Sequence, residues 1–231
     1  MSARFEEIDW RQTPMGEISL RRRWDPALTE DVYEVKLGEE FLMSSAFTAG
    51  EIALARLALA ELPGDGLDVV VGGLGLGYTA QAVLDDARVG GLVVVEALDA
   101  VIEWHERALL PLSAGLTGDP RCRLVQGDFF GSAAGRERPV DAVLVDIDHS
   151  PRHVLHPEHA AFYRPEGLRG AASWLRPGGV FALWSNDPPD EEFGAVLSEV
   201  FPRHAAHVVE FDNPLQGRTS ANTVYVGVSL A

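Results

Sequence analysis

The stretch from Asp68 to Trp104 reads DVVVGGLGLGYTAQAVLDDARVGGLVVVEALDAVIEW, and it restricts the fold more tightly than any other part of the chain. An apolar run ends in Gly72, Gly73, Gly75 and Gly77, a helical pattern follows, and a second apolar run ends in Glu96. Short apolar runs bounded by glycines suit strands buried on both faces, and the residues between them suit one crossover helix. Glycine is needed at such a turn because the backbone takes unusual φ values and a ligand must approach bare main chain. Gly73, Gly75 and Gly77 form G-x-G-x-G, with Tyr78 standing where a dinucleotide-binding pattern has its last glycine. Glu96 lies 19 residues beyond Gly77 (96 − 77). A carboxylate at that strand end accepts two hydrogen bonds from a ribose diol and repels a 2′-phosphate. In VQGD, Asp128 ends a third strand, where an acid meets the exocyclic amine of an adenine or caps the turn GDFFG.

Around this unit, strands and helices alternate. The patterns predict strands near residues 67–72, 91–96, 122–126, 140–146, 178–184, 206–211 and 222–229. Helices are predicted near 76–87, 99–110, 158–175 and 190–200, with another in TAGEIALARLALAELPGDG. Such alternation implies a doubly wound, Rossmann-like α/β sheet, mostly parallel and covered on both faces. Only DNPLQGRTSA separates the last two strands, so that C-terminal pair is expected to be antiparallel. Residues 17–43 carry short alternating segments and read as a small antiparallel meander. The expected organisation is an N-terminal β appendage, 1–48, and one nucleoside-binding catalytic domain, 49–231.

Composition narrows the function. The net charge of −16 opposes nucleic-acid binding, which needs clustered Lys and Arg; it serves solubility, and its field also favours a cationic small molecule. Lys36 is the single lysine, far from the glycine loop, so Schiff-base chemistry is set aside. Cys122 is the single cysteine, in the apolar RCRLV, and reads as a buried structural thiol. The opening MSARFEEIDW has no basic end followed by an apolar run, and no apolar stretch is long enough for a membrane span. A cytoplasmic protein without membrane partners is expected.

The segments VVVGGLGLG, VVVEALDAVIEW, LVQGDFF, VDAVLVDIDHSP and WLRPGGVFALWS together resemble the class I S-adenosylmethionine-dependent transferases, and more particularly their spermidine-synthase-like branch. The resemblance implies that Gly73, Gly75 and Gly77 hold the methionine portion and backbone of the cofactor. It likewise implies Glu96 on the ribose, Asp128 on the adenine and Asp146 facing the reacting end. The co-substrate implied is S-adenosylmethionine or its decarboxylated form, with no metal. The reaction implied is transfer of an aminopropyl or methyl group to a small acceptor such as a cationic amine. Spermidine synthases deprotonate their acceptor amine with aspartates around DSSDP. Here the residues are DIDHSP, so Asp146, Asp148 and His149 become the catalytic candidates. GGLGLG replaces the family's GGGDGG, and the tyrosine-histidine pair before the loop is absent from FTAGEIALARLAL.

Three other readings stand beside this one. DIDH and SND faintly resemble magnesium-dependent O-methyltransferases, with Asp146, Asp148 and Asn186 as oxygen ligands. The altered DIDHSP also fits a nucleoside-binding or dimerisation module without catalysis. Simple methyl transfer is the third. His149, His153, His156 and His159 crowd HSPRHVLHPEH, but Pro151 and Pro157 interrupt any helix, so a lid over the cleft is expected rather than zinc. The β appendage at 17–43 suits pairing across a two-fold axis to give a homodimer, and its edge capped by arginines, RRRW, reads the same way in a monomer.

Overall fold

The computed structural model describes residues 5–131 and 138–230. The first four residues of MSARFEEIDW therefore lie outside the described part. Four antiparallel strands come first: β1 (Phe5–Thr13), β2 (Gly16–Asp25), β3 (Glu30–Leu37) and β4 (Glu40–Ser44), in that spatial order. Helix α1 (Ala49–Ala60) leads into the main sheet, built from β5 (Leu67–Gly72), β6 (Val89–Glu96), β7 (Cys122–Gln126), β8 (Val140–Val145), β9 (Leu175–Ser185), β10 (Arg203–Asn213) and β11 (Arg218–Val228). Its order is β10-β11-β9-β8-β5-β6-β7. The five strands from β7 to β9 are parallel, whereas β11 runs antiparallel to both β9 and β10. The expected antiparallel C-terminal pair is therefore present.

Parallel strands are buried on both faces, and the alternation in VVV and AVLV shows how. Val69 and Val71 join the core under α1 and the N-terminal sheet; Val70 faces the opposite core with Val143, Phe181 and Phe201. Helix α1 is apolar around most of its surface because two layers cover it. Leu54, Ala55, Ala58 and Leu59 share one core with Ile18, Leu20 and Val35 of the N-terminal sheet and with Val224 and Val226 of β11. Fully burying each of these leucines is worth about 1.5–3 kcal/mol. The remaining helices are α2 (Tyr78–Leu84), α3 (Asp99–Glu106), α4 (Ser113–Gly118), α5 (Pro165–Ala172) and α6 (Glu191–Val200).

Three elements differ from expectation. β1 extends the meander by a strand, anchored at its far end where Arg11 Nη1 donates to Glu103 of α3 at 2.6 Å. The helix expected over 99–110 stops at Glu106, with Ala108 at φ 56°, and α4 follows. The helix expected over 158–175 divides into a 3-10 turn at Pro157–Ala161 and α5. Pro165 is the reason: the residue before a proline is driven extended, as Arg164 is at φ −100°, ψ 164°, and proline then opens a new helix.

Candidate active site

The order of strands reverses at β5, which has β6 on one side and β8 on the other. Open α/β sheets bind ligands at such a switch point, beyond the carboxyl ends of the strands. The glycine loop lies there. Gly73, Gly75 and Gly77 have φ of 94°, 48° and 92°, all left-handed. A Cβ on Gly73 would collide with the main-chain carbonyl of Asp146, and one on Gly75 would sit 2.6 Å from Met43 Sδ of β4. On Gly77 it would meet Leu116 Cδ1 at 2.5 Å. The loop is pinned where Gly73 N donates to Val95 O at 2.9 Å and Asp146 N donates to Gly72 O at 2.8 Å.

His105, fully buried on α3, is a support that the sequence did not reveal. Its Nε2 lies 2.9 Å from Gly75 O, and Nδ1 lies 3.4 Å from Ser113 Oγ. Burial lowers its pKa, so the ring is neutral and Nε2–H donates to the loop carbonyl. Nothing in VIEWHERALL separates this histidine from a surface residue.

Glu96 ends β6 half-buried beneath the loop. Leu74 N donates to Oε2 at 3.0 Å and Leu98 N donates to Oε1 at 2.9 Å. Burial raises its pKa, and these backbone donors oppose the rise. Each carboxylate oxygen accepts two bonds, so one lone pair on each remains for a diol. Asp128 performs its turn role, accepting from Phe130 N at 2.9 Å, and lines the same cavity as Glu96. That cavity holds about 390 Å³ between Val95, Leu98, Phe130 and Ile147, and Leu42 and Met43 of the N-terminal sheet close it.

A second cavity, about 720 Å³, adjoins the first and shares Gly75, Asp146, Ile147, Met43 and Leu155 with it. Asp146, just past β8, accepts from Thr79 Oγ1 at 2.6 Å. Burial raises its pKa to about 6, although the Thr79 bond pulls the other way. Glu51 on α1 lines this cavity too; burial, then the charge of Asp146, raises its pKa to about 8. Its Oε2 is shielded from solvent without a hydrogen-bond partner among the described residues, as is the indole Nε1 of Trp184. In TAGEIALARLAL nothing marks Glu51 as functional, because a single acid at the start of an apolar helix looks like an ordinary N-terminal residue.

Asp148 stands elsewhere. It is 2% exposed, absent from the walls of both cavities, and accepts from Leu155 N at 2.7 Å, His159 Nδ1 at 2.9 Å and Tyr163 OH at 2.6 Å. These bonds fasten the histidine-rich segment over the sheet edge. His149 lines the second cavity, with Nε2 3.2 Å from Glu40 Oε1. His156 and His159 line the first cavity, whereas His153 turns away to Asp187 Oδ2 at 3.0 Å. The oxygens suggested for magnesium are engaged elsewhere: Asp148 is held by three donors outside both cavities, and Asn186 Oδ1 accepts from Asn222 Nδ2 at 3.3 Å. Among the described residues no group of three His, Cys, Asp or Glu side chains is placed to hold a metal. Among the same residues, no helix is long and apolar enough to cross a membrane.

No known family model matches the chain, and no curated protein matches it in sequence. Solved structures do match it in fold. Spermidine synthase from Thermotoga maritima superposes with a TM-score of 0.73 at 18% identity, covering 96% of this chain and 72% of its own. A spermidine synthase in complex with the transition-state analogue AdoDATO gives 0.76 at 18% identity, covering 96% and 73%. Human methyltransferase-like protein 13 in complex with SAH gives 0.52 at 24% identity, covering 80% and 81%. The fold is that of the class I S-adenosylmethionine-dependent transferases, in the spermidine-synthase-like arrangement.

Proposed function

We propose that the chain is an alkyl transferase that binds an S-adenosylmethionine-type nucleoside in the smaller cavity and a small amine acceptor in the larger one. The contact of the two cavities at Gly75 and Asp146 carries this reading, because only there can a donor carbon and an acceptor nitrogen meet. The fold neighbours that hold AdoDATO and SAH support the nucleoside assignment. Glu96 grips the ribose with its two remaining lone pairs, Asp128 meets the adenine edge, and Gly73, Gly75 and Gly77 leave room for the sulfonium arm.

In the reaction, the amine lone pair attacks the carbon beside the sulfonium. The carbon–sulfur bond breaks, its electron pair stays on sulfur as a neutral thioether, and the surplus amine proton passes to the enzyme. Asp146 and Glu51 are the acids at that point. Glu51, with its pKa raised to about 8 and an unpartnered oxygen, accepts the proton once it is ionised, towards that pH and above, and Asp146 orients the amine. His149 closes the rim. Asp148 acts indirectly, by fixing the segment that carries His156 and His159. In GGLGLG, Gly75 stands at the position of the acid in the spermidine-synthase GGGDGG, so a donor with an intact carboxylate meets no like charge there, and both methyl and aminopropyl donors remain admissible.

Calorimetry with S-adenosylmethionine and its decarboxylated analogue, followed by turnover on an amine panel, tests the reading. Glu51→Gln is expected to keep nucleoside affinity within a few-fold and to lose turnover. Failure of both nucleosides to bind contradicts the assignment.

A further inference from the structure

The larger cavity is electrically one-sided, and this bears on which amine it accepts. Among the described residues its only acids are Glu51 and Asp146, gathered at the end beside the glycine loop. The opposite end is formed by the hairpin joining β10 to β11, where Asn213, Gln216, Thr219 and Ser220 are uncharged and Arg218 is a cation. The walls between are aromatic: Phe47 and Phe211 pack with ring centroids 5.6 Å apart, and Trp184 lies nearby with its indole N–H unpartnered. Glu40 does not line the cavity and faces His149 at its rim.

Strand β11 sets the length. Asn222 packs against α1 beside Glu51, its Oδ1 2.6 Å from where a Cβ on Gly50 would stand. Arg218 is four residues away along the same strand, about 13 Å at roughly 3.3 Å per residue. An occupant that reaches from the acids to Arg218 therefore has a body of that order.

We infer, building on the reading above, that the acceptor has one cationic amine, an apolar body and an uncharged or anionic tail, and that unbranched diamines are poor substrates. The amine is drawn to the Asp146 carboxylate and hydrogen-bonds to Glu51 beside it. The body lies along Phe47, Trp184 and Phe211, and the tail meets Arg218 and the hairpin amides. A second ammonium would instead be brought to the Arg218 guanidinium with no carboxylate in the cavity wall to offset it. Like charges at a partly solvated contact weaken binding by about tenfold.

Titration calorimetry on the full chain tests this, free and in the presence of S-adenosylhomocysteine. Three probes suffice: an unbranched diamine, the ω-amino acid of equal chain length, and a phenylalkylamine. The amino acid and the phenylalkylamine are expected to bind about tenfold or more tightly than the diamine. Arg218→Glu, an exposed hairpin change, is expected to reverse the order of amino acid and diamine. A diamine that binds as well as the others overturns the inference. So does an order that Arg218→Glu leaves unmoved, or the binding of none of the three. A separate titration of nucleoside tells the two levels apart. Its failure strikes the transferase reading, whereas normal nucleoside binding with the wrong amine order strikes only the acceptor class.

Discussion

The two cavities meet at one glycine and one aspartate but are built by different means. The smaller is lined mainly by strand ends and loops that follow β5, β6, β7 and β8, and main-chain donors already hold its acids: Leu74 N and Leu98 N on Glu96, Phe130 N on Asp128. The larger collects its walls from β4, α1, β9 and the β10–β11 hairpin, and its key polar atoms, Glu51 Oε2 and Trp184 Nε1, have no partner. A buried polar group without a partner costs about 1–3 kcal/mol. One cavity is thus organised in advance by the fold, while the other retains unsatisfied groups for an occupant to complete. Common chemistry belongs in the first and selectivity in the second.

Several substitutions would break or sharpen that contrast. Gly73→Ala should have the largest effect. Its left-handed φ and the Asp146 carbonyl leave no place for a methyl group, so nucleoside binding should become undetectable and stability fall by about 2–4 kcal/mol on thermal melting. A Gly73→Ala protein with native affinity would remove the claim that the smaller cavity depends on bare backbone. Next, Glu51→Gln should lower turnover by about 100-fold, as expected for losing a general base, in steady-state assays at saturating nucleoside. An equal loss of nucleoside affinity would erase the division between the cavities.

Asp148→Asn should follow, at about 2 kcal/mol of stability in denaturant unfolding, because Leu155 N, His159 and Tyr163 share that carboxylate. The pH dependence should be smaller. The Glu51 carboxyl holds its proton to about 8 in the folded chain against an ordinary 4.5, so the folded state binds more protons between those values. The stability contributed is complete below about 4.5 and is lost as pH rises through about 8. Melting temperature should therefore drift down across that window more steeply in the native chain than in Glu51→Gln. Parallel slopes would show that Glu51 is not held protonated.

The same contrast explains what the sequence disclosed. The glycine loop and Glu96 are readable because loop, helix, strand and acid stand in register within about thirty residues, and local chain geometry forces them together. Asp146 is readable from a different signal, as the acid that closes the apolar run of β8, the strand paired with β5. Glu51, His105 and Trp184 are not, because each reaches the site through tertiary packing: α1 across β9 and β11, and α3 under Gly75. Asp148 misleads in the opposite direction. It stands two residues from Asp146 in the chain, yet its side chain points into the segment that follows, where three donors wait for it. Proline placement accounts for the divided helix after Asp148, whereas β1 is marked by the turn residues Pro14 and Gly16 but its own FEEIDWRQT loses clean alternation where the register shifts between Glu7 and Asp9.

The most direct test of the account is the affinity of S-adenosylhomocysteine for Glu96→Gln beside the native chain, with folding checked by circular dichroism. Loss of a charged acceptor for two ribose hydroxyls predicts weakening of about 10- to 100-fold with the fold retained. Undiminished binding would contradict the assignment of the smaller cavity to an adenosyl group.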